Sequence, residues 1–102
     1  QVLNFNDHNN KAKIINNELL HYTIQIYASY DYKLVKSKFN YLKNEKILIG
    51  DNLFILILNL DTKNHYLLVY NNFISKDLAL EHCYNYLKFL NKCIIINAQN
   101  IN

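Results

Sequence analysis

Gln25, Tyr27 and Ser29 stand two residues apart in the stretch Tyr22-Thr23-Ile24-Gln25-Ile26-Tyr27-Ala28-Ser29. In an extended chain, that spacing puts an amide, a phenol ring and a hydroxyl on one side of a strand. The amide both donates and accepts hydrogen bonds, and the tyrosine joins an apolar ring to a polar tip. Such a set suits the holding of a polar, ring-containing ligand. Bond-breaking chemistry lacks its parts: the eight carboxylates are scattered through expected loops and outer helix faces, and no nucleophile, base and orienting group converge. With Gly50 as the single glycine, no glycine-rich phosphate loop is available. We expect neither an enzyme nor a cofactor.

His21, His65, His82, Cys83 and Cys93 are the residue types that ligate metals, yet no CxxC or HxxxH spacing occurs among them. His82 and Cys83 are neighbours, and on a helix they point about 100° apart. No metal site is expected. Cys83 is read as helical and Cys93 as the start of a strand. Two turns of helix between them would hold their Cα atoms beyond bridging range, so the expectation is two separate buried thiols.

Composition narrows the partners. Asn, Ile, Lys and Tyr supply half the chain, which first of all fits an AT-rich coding bias. The formal net charge is +3, and every basic residue is Lys. Without Arg there is no bidentate fork for phosphate or guanine, and the lysines form no stripe. Nucleic acid is not an expected partner. No apolar run is long enough to span a bilayer, and the polar start from Gln1 to Asn10 is not a signal peptide. Any membrane anchor is expected upstream of residue 1.

The length of 102 residues accommodates one domain. Residues 1–18 lack a clear period and are read as a flexible linker, with a weak helical turn near Ile14 to Leu19; the domain is expected over residues 19–102. From His21 a half-buried strand begins, with Tyr22, Ile24, Ile26 and Ala28 facing the core and Thr23, Gln25 and Tyr27 on the other side. Ser29 or Asp31 then caps a helix whose apolar stripe is Leu34, Val35, Phe39 and Leu42, ending near Asn44. Residues 53–60, LFILILNL, read as a second strand. The break from Asp61 to Asn64 reads as a four-residue hairpin loop leading to a third strand, Tyr66 to Tyr70. Ser75 caps a second helix, with Asp77 in its first turn and Ala79, Cys83, Tyr86, Leu87 and Leu90 inward. A fourth strand covers Cys93 to Ile96. The tripeptide Tyr41-Leu42-Lys43 recurs as Tyr86-Leu87-Lys88, at nearly the offset that separates Tyr22 from Tyr66. With right-handed crossovers, this order gives an α+β fold, βαββαβ: a four-stranded antiparallel sheet with both helices on one face. The other face is expected to be open and to carry the binding site.

The stretch His21-Tyr22-Thr23-Ile24-Gln25-Ile26 resembles the first strand of SPOR domains, in which an aromatic, Thr, an apolar residue, Gln and another apolar residue follow one another. His65-Tyr66-Leu67-Leu68-Val69-Tyr70, with Phe73, Ser75-Lys76 and Ala79, is similar to that family's third strand and second helix entry. The ending with Gln99 and Ile101 resembles the family's tail. The resemblance covers residues 21–101 and implies a non-catalytic module that binds denuded peptidoglycan glycan strands, those stripped of stem peptides. It further implies targeting of a parent protein to the division septum, in the periplasm of a Gram-negative bacterium, through an upstream inner-membrane anchor. Other division proteins are further candidate partners. The glycan-binding residues it implies are Gln25, Tyr27, Ser29, His65 and Cys93, the last two standing where relatives place aromatic platforms. A SPOR-like fold serving as a protein-interaction module, or an RNA-recognition-like module, remains an alternative from the residues alone.

Overall fold

The computed structural model of the protein describes residues 2–4 and 14–100. Its elements run β1 (Val2–Asn4), β2 (Ile14–Ile15), β3 (Glu18–Leu19), β4 (Tyr22–Ser29), α1 (Tyr32–Asn44), β5 (Leu53–Leu60), β6 (Lys63–Phe73), α2 (Lys76–Tyr86) and β7 (Ile94–Asn97). Strands β5-β6-β4-β7 form the antiparallel sheet that a βαββαβ chain order produces, and β1 extends it, parallel to β5.

Capping decides where the helices begin. Asp31 is extended, and its carboxylate accepts from the Lys33 amide at 2.9 Å. Ser29, the other expected cap, instead accepts from the Asp31 amide at 3.0 Å and closes the turn before the helix. Ser75 caps α2 by accepting from the Leu78 amide. Val35, Phe39 and Leu42 of α1 and Ala79 and Cys83 of α2 pack on Ile24, Ile26, Leu53, Ile55 and Leu68 of the sheet. Two expected stripe members stay outside: Leu34 is 51% exposed and Tyr86 73%. Each lies one residue to the side of the buried line, so these two short helices bury narrower faces than the apolar pattern suggests.

The face away from the helices carries a second core. Phe54, Leu56, Leu67 and Val69 are buried there together with Ile15, Leu20 and Ala98. The expectation of an open face is thus corrected over the middle of the sheet. It explains why the LFILILNL run is apolar on both sides: a strand buried on both faces shows no alternation.

Part of that cover, Ile15, comes from the stretch expected as linker. Residues 14–19 form a β-hairpin in place of the expected helical turn. Asn16 and Asn17 both take positive φ, 51° and 65°, the pair of left-handed conformations that a type I′ turn requires. The Asn72 side chain fastens the hairpin's exit, accepting from the His21 amide at 2.8 Å and donating to the Leu19 carbonyl at 2.9 Å. Gln99 donates to the Leu20 carbonyl at 3.0 Å from the chain's other end. Residues 5–13 lie outside the described residues.

The β5–β6 turn is also tighter than expected. Leu60 pairs with Lys63, leaving only Asp61 and Thr62 in the loop, with Asp61 at φ 58°. Strand β6 accordingly starts at Lys63.

Candidate functional site

Strand β4 does not alternate regularly. Gln25 pairs with Val69 of β6 but Tyr27 pairs with Leu68, so two steps on β4 match one on β6. The extra residue is a β-bulge, a device that re-aims side chains. Beyond it, Tyr27 packs with the helix-side core and Ala28 with the opposite one. The sequence reading placed Tyr27 on the same face as Gln25; the bulge reverses it.

The same stretch is a sheet edge. Strand β7 begins at Ile94, opposite Gln25, so β7 pairs with β4 only from Tyr22 to Gln25. The gap below β7 is a cleft of about 410 Å³ lined by Gln25 and Tyr27 together with Lys38, Phe89, Asn91 and Lys92. The bulge and the edge thus bring Gln25 and Tyr27 to one cavity although they belong to different faces. Lys38 reaches from α1 to within 6.0 Å of the Tyr27 ring centre and 5.8 Å of that of Tyr41. Phe89 is 48% exposed.

The far wall, residues 88–92, is held by a covalent bond. Cys83 and Cys93 form a disulfide with Cα atoms 6.0 Å apart, within bridging range. This corrects the expectation of two free thiols. Helix α2 stops at Tyr86 and Leu87 leaves helical geometry (φ −120°, ψ 50°), so the chain turns back toward Cys83 where continued helix would have carried it away. Cys93 is therefore not a free thiol. Its sulfur packs with Cys83 against the helix-side core and pins the turn that bears Phe89, Asn91 and Lys92.

Ser29 and His65 are elsewhere. Ser29 has its hydroxyl engaged in the turn into α1. His65 lies four residues along β6 from Val69, the residue opposite Gln25, about 13 Å at the strand rise. It stacks on Tyr30 with ring centres 4.6 Å apart at 24°, and the Lys63 ammonium sits 4.3 Å from the Tyr30 ring centre. His65 is thus half of a separate aromatic pair at the sheet's end. Sequence reasoning missed Phe89, Asn91, Lys38 and Lys92. Only knowledge of the Cys83–Cys93 bond would have pointed to the turn that carries three of them.

Among the described residues, no three His, Cys, Asp or Glu side chains gather into a possible metal site. Nor is any helix among them long and apolar enough to cross a membrane. No family model, curated protein or solved structure matches the chain.

Proposed function

We propose that this chain is a SPOR-like, non-catalytic module that holds peptidoglycan glycan strands lacking stem peptides, and so brings its parent protein to the bacterial division septum. The observation that carries the reading is the convergence of Gln25, Tyr27, Phe89, Asn91, Lys38 and Lys92 on one cleft. Sugar rings present apolar C–H faces that pack on the Tyr27 and Phe89 rings. Their hydroxyl and acetamido groups find donors and acceptors in two carboxamides. Removal of stem peptides bares lactyl carboxylates, which Lys38 and Lys92 complement. The disulfide supports a periplasmic setting, because such bonds persist in oxidising compartments and are rare in the cytosol.

A second reading has one observation in its favour. Past Gln25 the outer edge of β4 has no strand beside it among the described residues, and a bare edge is a template for adding a partner strand. An RNA-recognition reading fares less well. The middle of the inner strands presents Thr23, Leu67 and Val69, all buried, where that mode needs exposed rings.

The test is co-sedimentation with purified sacculi, either amidase-treated to enrich denuded glycans or freed of them. Preferential pelleting with the first preparation, weakened by Gln25→Ala and Phe89→Ala, is the expected result. Equal or absent pelleting with both preparations sinks the glycan reading and leaves the strand-addition reading standing.

A further inference from the structure

Between the C-terminal end of α1 and the last turn of α2 lies a groove of about 490 Å³, within the size range of small-molecule sites. It is separate from the cleft at Gln25. Ile47, Ile49 and Leu87 give it apolar lining, and His82 and Tyr86, with ring centres 5.0 Å apart, form an aromatic wall. Lys43 and Lys46 stand at its α1 end. Among the described residues no carboxylate lines the groove and neither lysine makes an ion pair.

Two irregularities of this chain converge on those lysines. Among the described residues five non-glycine residues have positive φ: Asn16, Asn17, Asp61 and Asn71, of the types that tolerate it, and Lys46 at 57°. Lys46 occupies the position after the α1 cap. There its amide donates to the Lys43 carbonyl at 3.1 Å and the Ile47 amide donates to that of Leu42 at 2.9 Å, the Schellman pattern in which Gly or Asn is usual. In a chain so rich in Asn, a lysine holds this strained place. The second irregularity is Gly50. It does not have positive φ, yet a Cβ there would lie 2.8 Å from Cγ of Lys43. The only glycine thus makes room for a lysine stem. A cation near a helix C-terminus is favoured by the dipole, which accounts for the sign of the charge. It does not account for the strain, for the cleared space, or for the apolar and aromatic walls beside them.

We infer that this groove binds a small amphiphilic carboxylate, with its acid group between Lys43 and Lys46 and an apolar ring against Ile47, Ile49 and Tyr86. The inference does not rest on the glycan reading. Naphthoate and its uncharged counterpart naphthalenemethanol serve as probes, titrated into the full chain while amide NMR signals are followed. Naphthoate is expected to shift the signals of Ile47, Ile49, His82 and Tyr86 saturably, and the alcohol to bind more weakly. Lys46→Asn is expected to weaken naphthoate binding about fivefold, the upper range for an exposed charge pair. It should also leave the melting temperature unchanged or raised, since Asn suits the conformation, and leave pelleting with sacculi intact. Gly50→Ala, which displaces the Lys43 stem, provides a second variant and should weaken naphthoate in the same way. Equal affinity for acid and alcohol, absence of saturable shifts at these residues, or full naphthoate affinity in both variants overturns the inference.

Discussion

Thr23 is the one buried polar side chain among the described residues, and its hydroxyl donates to the Tyr70 carbonyl at 3.0 Å. Thr23→Val keeps the shape and removes the bond. Stability should fall by about 1 kcal/mol, read as a lower urea midpoint with an unchanged denaturant slope. Asn72 has a larger reach, because one carboxamide satisfies two backbone groups at the hairpin exit. Asn72→Ala should destabilise by about 2 kcal/mol and accelerate exchange of the His21 amide while leaving helix amides protected. At the cleft proposed to hold glycan, Gln25→Ala should weaken sacculus pelleting, whereas His65→Ala should not. His65 belongs to the Tyr30 stack at the sheet's end. An effect of His65→Ala equal to that of Gln25→Ala would place the glycan across the sheet and not in the cleft.

At the scale of elements, the turn between α2 and β7 is fastened covalently. Besides the Cys83–Cys93 bond, residues 88–92 are held by the packing of Leu87 and Leu90 and by the Leu90 amide donating to the Leu87 carbonyl at 3.0 Å. Replacing both cysteines by Ala should lower stability by about 2–3 kcal/mol, as expected for a short closed loop. It should also weaken pelleting, because Phe89, Asn91 and Lys92 share that turn. Restoration of stability without restoration of pelleting, by a compensating change elsewhere, would separate the two effects. Strand β4 shows the limit of pattern reading at this scale. Its alternation from Tyr22 to Ile26 was legible, and Gln25 was correctly set apart from the core. Tyr27 was not, because the bulge depends on how β4 meets β6, and nothing local to β4 announces it. The helices were read more closely. Asp31 and Ser75 are caps by local chemistry alone, and a capping bond spans two or three residues.

At the scale of the whole molecule, the sheet is a layer buried on both sides. Leu20 lies outside the βαββαβ frame, yet it is fully buried against the face away from the helices. Leu20→Ala should therefore cost about 2–5 kcal/mol, the range for a core leucine, which a thermal melt would show as a large drop. A change near zero would mean that the face tolerates exposure and that the hairpin is an ornament on the fold.

The sequence by itself determined the order of the βαββαβ strands and helices, the caps at Asp31 and Ser75, the break at Asp61, and the α+β class. Those features follow from period, capping and turn chemistry, whose physical range is a few residues. Only the tertiary structure decided that Ile15 and Leu20 cover the second face, that β4 bulges at Ile26, that Cys83 reaches Cys93, and that Phe89 and Lys92 join Gln25. Each of these depends on which distant segments pack together, and a residue's type alone carries no record of its distant neighbours.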